Sequence, residues 1–339
     1  MIKVLHISNT YKAGSPIRIV QCLNKYSDNK IKCNLITLGD FKNNKRLGNL
    51  KYDIDYLYNK NDINIYQKLF DEADIIHCHY EANTNVIPDR NLLNKKCIFH
   101  HHNFVKNIKN DFYCKKLVVG QYQPRIHPDA LIVPNIIDIY DDILMPVKEK
   151  YDKTTIFFSY SNTSEKEGTW NDKGVRYIKP ILEKIKNNNK NIDIKIYTNK
   201  PYKELMQIKQ KCHISIDDIM NKSFHLTALE AASQGLITIT AIDEQTKIVI
   251  DYFINNKEII NNELPFYNVN RLNLELTLLD IINSNKIEVL QKYARIWMEK
   301  YWSPQKMIKY YIDIYENIKY GNEIQYCKTF NELKNNMEG

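Results

Sequence analysis

Short apolar runs alternate with amphipathic stretches through the first half of this 339-residue chain. The stretches Ile17–Lys25 and Ile63–Glu72 repeat apolar residues with helical spacing, whereas the short apolar runs are typical of buried strands. Strands are predicted at Val4–Ile7, Cys33–Ile36, Ile75–His79, Cys97–His101, Lys116–Val119 and Leu131–Val133. Because buried strands that alternate with helices pair in parallel, the first half is predicted to form a doubly wound α/β sheet.

The second half of the chain repeats this alternation, and 339 residues exceed the size at which one hydrophobic core stops growing. Strands are predicted at Thr155–Tyr160, Ile192–Tyr197, His213–Ile216 and Ile237–Ala241, and helices at Gly174–Asn187, Lys203–Lys211 and Leu226–Ser233. Charged residues and Pro146 interrupt the pattern between the halves. We therefore predict an N-terminal Rossmann-like domain at 1–145 and a second one at 146–300.

The chain is predicted to be helical after Asn270. Ser303 and Pro304 suit the N-cap and first position of a last helix, which we place at 301–320. The remaining segment, 321–339, is polar, and we expect it to be loosely held.

Composition limits the function classes. The seven cysteines are scattered and form no C-x-x-C pair, which favours free thiols in a reducing compartment. The sequence shows neither a signal peptide nor an apolar run long enough to span a bilayer, so we expect a cytoplasmic protein with at most peripheral membrane contact. The net charge of +8 suits an anionic ligand, acceptor or membrane face, but it is lower than in dedicated DNA-binding domains.

Ligands of open α/β folds bind beyond the carboxyl ends of the strands, so the first strand-to-helix loop is a candidate site. In this loop, Ser15 and Pro16 are predicted to be the N-cap and first residue of a helix, whose N-terminus favours an anion. Gly14 would let a ligand approach the backbone. The loop lacks G-x-G-x-x-G, which gives a nicotinamide cofactor little support, and a plain turn is the alternative.

Histidines follow two neighbouring predicted strands: His77 and His79 end one, and His100, His101 and His102 end the next. Three interpretations remain open, namely a zinc site, structural hydrogen bonds, and contacts to a donor or acceptor. No Asp, Glu or Cys spacing completes a zinc site. Consecutive strand residues point to opposite faces, so the three adjacent histidines cannot all serve one site.

A loop in the second half leads from a predicted strand into the helix Leu226–Ser233, which Gly235 ends. The free N–H groups of that helix N-terminus can hold a diphosphate, and Glu230, one turn further, can accept hydrogen bonds from ribose hydroxyls. A second loop runs from Ser161 to Lys173, where a lysine can neutralise a leaving phosphate. The alternatives are an ordinary core helix and a solvated lysine.

Taken together, these elements resemble the glycosyl transferases group 1 family, whose members are retaining enzymes of GT-B fold. The resemblance extends from Val4 to about Tyr315. It rests on the order of the following stretches: AGSPIRI, DIIHCHYEAN, IFHHHN, VPNIID, NDKGV, SFHLTALEAASQG and YYIDIYENI. The resemblance implies two Rossmann-like domains whose parallel sheets face a central cleft that binds the donor, with a C-terminal helix crossing back.

The same resemblance implies site residues and no cofactor or metal. His101 or His102 would lie beside the transferred sugar as the catalytic contact. A nucleotide-sugar, with UDP as the expected nucleotide, would be bound by Gly14, Ser15, Ser161, Lys173, Ser223, Phe224, His225, Leu226, Thr227 and Glu230. Within this set, Lys173 and the Ser223–Thr227 loop would contact the diphosphate, and Glu230 the ribose.

The sequence departs from the family pattern at two places. Lys222 replaces the first glutamate of the paired E-x7-E pattern, whose second place Glu230 holds, and this puts the identity of the donor sugar in doubt. The arginine that usually precedes the Lys-Gly pair is absent, and Ser161 and Lys166 are the candidates for its place. The D-x-D at Asp53–Asp55 lies in a polar stretch, and we interpret it as surface rather than as a metal site.

Three function hypotheses follow. The first is metal-independent transfer of a sugar from a nucleotide-sugar to an acceptor glycan, lipid-linked saccharide, protein or small molecule. The second is transfer to modified DNA bases, as some phage enzymes perform. The third is a catalytically inactive GT-B fold that serves as a binding or partner subunit, because a fold alone does not guarantee a function.

Overall fold

The computed structural model of the chain describes residues 1–8, 14–37, 56–57, 63–79, 95–102, 113–161, 172–198, 200–254 and 264–338. Its strands are β1 Ile2–Ser8, β2 Ile31–Thr37, β3 Tyr56–Leu57, β4 Ile75–His79, β5 Lys96–His101, β6 Tyr113–Val119, β7 Leu131–Val133, β8 Thr154–Tyr160, β9 Ile192–Thr198, β10 Ile214–Asp218, β11 Ile237–Thr240 and β12 Phe266–Asn268. Its helices are α1 Ser15–Tyr26, α2 Ile63–Glu72, α3 Val175–Asn188, α4 Tyr202–Gln210, α5 Leu226–Ser233, α6 Glu244–Ile254, α7 Leu274–Asn283, α8 Ile287–Tyr301, α9 Pro304–Tyr320 and α10 Phe330–Glu338.

The chain forms two compact units. The first comprises the described residues up to Ile137 together with those from Pro304 onward, and the second spans Asp138–Ser303. The long helix α9 therefore belongs to the first unit, although it follows the second in sequence. No helix among the described residues is both long enough and apolar enough to cross a bilayer.

The first unit is built on a sheet of order β3-β2-β1-β4-β5-β6-β7, in which every strand pair is parallel. All five residues of β4 are buried, as expected of a central strand that is covered on both faces. Apolar residues of β1, α2 and β4, among them Leu5, Phe70 and Ile76, form one core cluster. The parallel arrangement places the histidine-bearing ends of β4 and β5 at the same edge.

The second unit repeats this plan on a five-stranded parallel sheet of order β12-β11-β10-β8-β9. Its core combines strand residues such as Phe158 and Ile216 with the apolar faces of α3 and α7. The central strand β10 is buried throughout, yet it ends in two carboxylates, Asp217 and Asp218. These two parallel sheets confirm the predicted pair of doubly wound domains.

Glycine sets the start of two helices at sheet edges. Gly14, rather than the predicted Ser15, is the N-cap of α1, because its left-handed backbone (φ 74°) turns the chain before the helix begins. Ser15 is consequently the first helical residue. Gly174 (φ 77°) starts α3 in the same way, and a Cβ at this position would lie 2.5 Å from Cγ1 of Ile219. A side chain at position 174 would therefore be both strained and crowded.

The segment after Tyr320 is packed rather than loosely held. Cys327, Phe330 and Leu333 are buried, and the backbone N–H of Ile132 in β7 donates to the carbonyl of Lys328 (2.9 Å). The Asp313 carboxylate also accepts backbone N–H bonds from Gln325 and Tyr326. Three apolar residues spaced by three in a polar segment were too sparse to suggest this contact from the sequence.

Candidate functional site

Five histidines of the first unit meet on one face of its sheet. In the strand register His6 is opposite His77, and His79 is opposite His100. His102 follows β5 on the same face as His100 because strand side chains alternate. His6, His77, His79 and His100 are fully buried, and His102 is half-buried. Parallel pairing of three strands thus assembles an imidazole cluster at the edge where α/β folds bind ligands.

Hydrogen bonds join these imidazoles to one another and to Tyr315 of α9. His79 is within hydrogen-bond distance of His102 (Nδ1 to Nε2, 3.0 Å) and of His6 (Nε2 to Nδ1, 2.9 Å). His77 contacts His100 (Nε2 to Nδ1, 3.2 Å) and the Tyr315 hydroxyl (Nδ1 to Oη, 2.8 Å). The same hydroxyl lies 3.3 Å from His6 Nε2.

Burial keeps four of these imidazoles in their neutral form. It lowers the pKa of His6 to about 3, and it lowers the pKa of His77, His79 and His100 well below 6.5, with neighbouring histidines adding to the effect. Two overlapping groups, His6–His77–His79 and His79–His100–His102, have ring nitrogens within 4.8 Å of one another and could hold a metal ion. An ion would have to displace the hydrogen bonds that these nitrogens make.

His101 lies on the opposite face of β5, away from this cluster. Its ring stacks on His127 with centroids 3.8 Å apart and meets the edge of Phe99. It is 5% exposed, and burial lowers its pKa to about 3, with the charges of His127 and Lys116 adding to the effect. The structure therefore separates the two candidate catalytic residues, His101 and His102, into different environments.

In the second unit, polar groups converge on the buried carboxylate of Asp217 at the end of β10. It accepts hydrogen bonds from Lys173 Nζ (3.0 Å) and from the backbone N–H of His225 (2.7 Å), the N-cap of α5. His225 Nδ1 lies 3.1 Å from Asp217 and 3.2 Å from Asp218. Burial alone would raise the pKa of Asp217, but the charges of Lys173 and His225 hold it below its usual value.

The loop between β10 and α5 is shaped by its own side chains. Asp218 accepts the backbone N–H groups of Met220 (2.6 Å) and Asn221 (2.9 Å), and Lys222 follows in a left-handed conformation (φ 56°). Burial raises the pKa of Asp218. The Ser223 hydroxyl is buried and has no hydrogen-bond partner within the part of the chain that the structure describes. This hydrogen-bonded turn leads directly into the N-terminus of α5.

Glu230 lies one turn into α5 and is held by a buried network. Its carboxylate accepts hydrogen bonds from the Tyr202 hydroxyl (2.8 Å) and from Lys209 Nζ (3.1 Å). Lys209 is fully buried and Glu230 is 4% exposed. Two partners from α4 thus compete with any ribose hydroxyl for the same carboxylate oxygens.

The other predicted donor contacts have varied environments. Ser15 is buried and its hydroxyl donates to Asn135 (3.1 Å), while Gly14 caps α1. Ser161 is half-buried just after β8. The Phe224 side chain packs on Phe266 and Trp302 in the core, so only its backbone can face a ligand.

Leu226 and Thr227 begin α5, where their N–H groups have no intrahelical acceptor. Leu226 is almost fully buried, and Thr227 is half-buried. The segments that contain Asp53–Asp55 and Lys166 lie outside the described residues.

Several residues of these networks could not be identified as site residues from the sequence. Asp217 looked like the end of a strand, and Tyr202 and Lys209 like ordinary helix residues. Tyr315 lies 238 positions from His77, so no local pattern could pair them. The one available signal was for His6, since it precedes a strand-to-helix loop as His77 and His79 do.

Comparison with known proteins identifies the fold as GT-B, with two Rossmann-like domains. No protein-family model and no curated protein sequence matches the chain at a significant level. An α-glucosyltransferase in complex with UDP and a 13-mer DNA containing a central A:G mismatch superposes with a TM-score of 0.66 at 12% identity. That match covers 93% of this chain and 100% of the other.

Two further solved structures have the same fold. Sucrose-phosphate synthase from Thermosynechococcus elongatus has a TM-score of 0.58 at 9% identity, over 95% of this chain and 100% of the other. UDP-GlcNAc 2-epimerase from Neisseria meningitidis bound to UDP-GlcNAc has a TM-score of 0.51 at 11% identity, over 95% and 100%. At such low identities the similarity concerns the fold, which is used for both transfer and epimerisation.

Proposed function

We propose that this protein is a glycosyltransferase of the glycosyl transferases group 1 type, which transfers a sugar from a UDP-sugar to an acceptor hydroxyl with retention and without a metal ion. One observation carries the proposal. In a GT-B fold, Lys173 and the N-terminus of α5 converge at the carboxyl end of β10, around Asp217. A cation and helix N–H groups in one place favour a bound anion, and the donor diphosphate is that anion.

The donor is proposed to bind with its diphosphate at the first turn of α5. The N–H groups of Leu226 and Thr227 donate to phosphate oxygens, and Lys173 Nζ turns from Asp217 toward the developing negative charge of the leaving group. Glu230, held by Tyr202 and Lys209, accepts from the ribose. Asp217 fixes the lysine and the His225 N–H when the donor is absent.

We expect UDP to stabilise the protein through its phosphates. At 100 times its dissociation constant UDP should add about 2.7 kcal/mol to the free energy of unfolding, whereas uridine at the same concentration should add little. Thermal-shift measurements with UDP, UMP, uridine, GDP, ADP and CMP test this, each as the change from the ligand-free protein. Equal stabilisation by uridine and UDP would remove the diphosphate from the proposed site.

The matched variants are Lys173→Ala and Lys184→Ala. Lys173 precedes α3, and Lys184 lies within that helix. Lys184 forms an exposed ion pair with Glu275, so its loss should leave the UDP-induced shift unchanged. Lys173→Ala should weaken UDP binding about 10- to 150-fold, since a hydrogen bond to a charged group contributes about 1.5–3 kcal/mol. Each variant is compared with its own ligand-free form, because Lys173→Ala also removes a partner of Asp217.

His102 is proposed as the histidine that contacts the transferred sugar. It is half-buried at the end of β5, whereas His101 is packed against His127. We expect His102→Ala to lower turnover about 10²-fold with nearly unchanged UDP affinity, because proton transfer and charge stabilisation act in the transition state. Turnover of His101→Ala should change less than tenfold. The reverse order for the two variants would assign the role to His101.

DNA is the second candidate acceptor class. The α-glucosyltransferase that shares the fold was crystallised with UDP and DNA, and the net charge of +8 suits a polyanion. The experiment incubates UDP-glucose with duplexes that carry hydroxymethylated or unmodified bases, since transfer requires a hydroxyl. Release of UDP and a mass increase of one hexose only on the modified duplex would support this acceptor, and the anomeric configuration of the product would test retention.

The same assay separates the competing activities. An epimerase would convert a UDP-sugar or release a free epimer without any acceptor glycoside, and an inactive binding subunit would bind UDP without turnover. Addition of EDTA should leave transfer unchanged. Activity that disappears with EDTA and returns with manganese would refute the metal-independent mechanism.

A further inference from the structure

The contacts between the five histidines and Tyr315 form one unbranched sequence, which we call the imidazole chain. Its order is His102, His79, His6, Tyr315, His77, His100. The five successive links measure 3.0, 2.9, 3.3, 2.8 and 3.2 Å. Every internal imidazole uses both of its ring nitrogens, one toward each neighbour.

Such a chain has only two proton arrangements. A neutral imidazole has one N–H donor and one acceptor nitrogen, and a phenol has one O–H donor. Each link holds one proton, so a donor at one link forces its neighbour to donate at the next. Because every His–His link joins an Nδ1 to an Nε2, the two arrangements are uniform. All five histidines carry their proton on Nε2, or all five carry it on Nδ1.

The Tyr315 links select between the two arrangements. Hydroxyl donors make shorter hydrogen bonds than N–H donors, and the Tyr315 oxygen is 2.8 Å from His77 but 3.3 Å from His6. The hydroxyl therefore donates to His77 Nδ1 and accepts from His6 Nε2–H. Burial raises the pKa of Tyr315 well above 10, which keeps its proton on the oxygen. The Nε2–H form is also the more stable tautomer of an isolated histidine side chain.

A metal centre would compete with the chain for the same ring nitrogens, because both possible metal groups consist of histidines of the chain. His77 and His79 stack with an interplanar angle of 10°, and His6 stacks on His77 at 25°. The described part of the cluster also contributes no carboxylate to offset a buried dication.

We propose that Tyr315 and the four buried histidines hold His102 in one tautomer, with its proton on Nε2 toward His79 and Nδ1 unprotonated. Tyr315 and His79 are positioning residues, because their hydrogen bonds decide which ring nitrogen of His102 is the acceptor. In the proposed arrangement His100 Nε2–H is a buried donor without a partner among the described residues, whereas in the other arrangement the same nitrogen is an acceptor. The role of His102 beside the transferred sugar rests on the proposed function, whereas the tautomers do not.

The tautomers are measured directly by nitrogen-15 NMR of the histidine-labelled protein at pH 7. Long-range proton–nitrogen spectra distinguish Nε2–H from Nδ1–H, and single His→Gln variants assign the signals. We expect all five histidines of the chain to be Nε2–H. A mixed set of tautomers, or five Nδ1–H forms, would overturn the proposal. So would equimolar Zn²⁺ that binds and shifts these signals.

Tyr315→Phe tests the coupling, and Tyr311→Phe is its matched control. Both tyrosines are fully buried in α9, but the Tyr311 hydroxyl donates to the Pro134 carbonyl (2.9 Å) and stands outside the chain. Tyr315→Phe should change the signals of His6 and His77 and lower kcat about tenfold, less than the 10²–10⁴-fold effect of losing a general base. KM for the donor should stay within about twofold, and Tyr311→Phe should leave both readouts near wild type.

The NMR signals of the histidines and the kcat values test different parts of the proposal. Uniform Nε2–H tautomers with an unchanged kcat for Tyr315→Phe would leave the chain in place and overturn the positioning role. Unaltered histidine signals in Tyr315→Phe would overturn the chain itself. Equal loss of kcat in both tyrosine variants would show a structural effect and also overturn the positioning role. Absence of any transferase activity would refute the proposed function without touching the tautomers.

Discussion

Mild acid is expected to unfold the first unit. The buried histidines His6, His77, His79 and His100 have folded-state pKa values well below the value of about 6.5 in the unfolded chain. Their contribution to stability is therefore complete above pH 6.5 and is lost as the pH falls below it, because only the unfolded state takes up protons there. Each histidine costs about 1.4 kcal/mol per pH unit, so four cost roughly 5 kcal/mol per unit.

A loss of this size is comparable with the total stability of a domain, about 5–15 kcal/mol. Urea unfolding followed by circular dichroism at pH 7.5, 6.5, 6.0 and 5.5 should give a slope that corresponds to three or four protons below pH 6.5. The control is His6→Gln, which should reduce the slope by about one proton. A slope of one proton or fewer in the wild-type protein would mean that the cluster is hydrated or charged in the folded state.

Glu230→Ala is expected to lower the stability of the second unit even when no donor is bound. The substitution would leave the ammonium of the fully buried Lys209 without its carboxylate, and removing one partner of a buried ion pair costs about 3–5 kcal/mol. The sequence predicts a ribose contact for Glu230 and gives no sign of its buried partner Lys209, so this loss of stability follows from the structure alone. Chemical denaturation in the absence of ligand measures the effect on stability, and calorimetry with UDP measures the effect on affinity.

The double variant Glu230→Leu/Lys209→Met provides the control. Replacing both charges with apolar groups removes the uncompensated ion, and such replacements are often neutral or stabilising. We expect the double variant to recover most of the lost stability but not the affinity for UDP. If Glu230→Ala were as stable as the wild type, Lys209 would have another anionic partner or access to water.

The fold could be predicted well because its signals are local. The helix Leu226–Ser233 was predicted with both of its observed ends, since a loop precedes it and Gly235 follows it in the left-handed conformation (φ 67°). Strands such as β4 were equally clear as short apolar runs. The short strands β3 and β12 were missed, because their two or three residues include polar or tyrosine side chains in polar surroundings, whereas the equally short β7 is the apolar run Leu131–Val133.

The candidate site was less predictable because its chemistry depends on distant partners. The strand ends of His77, His79 and His100–His102 could be predicted, but not that four buried histidines would bond to one another and to Tyr315. Glu230 was correctly placed in the helix, yet its partners Tyr202 and Lys209 lie 28 and 21 positions away. Which polar groups pair in the interior is decided by packing, and one sequence does not record it.

Helix α9 belongs to the first unit but follows the second unit in the chain, and this order has a consequence for synthesis. A ribosome releases β1–β7 long before Pro304, so the sheet emerges without the helix whose Tyr311 and Tyr315 contact its carbonyl and histidine groups. The segment Asp138–Ser303, in contrast, emerges as one stretch. The first unit is therefore expected to complete its folding after the second, which reverses the usual vectorial order in which N-terminal domains fold first.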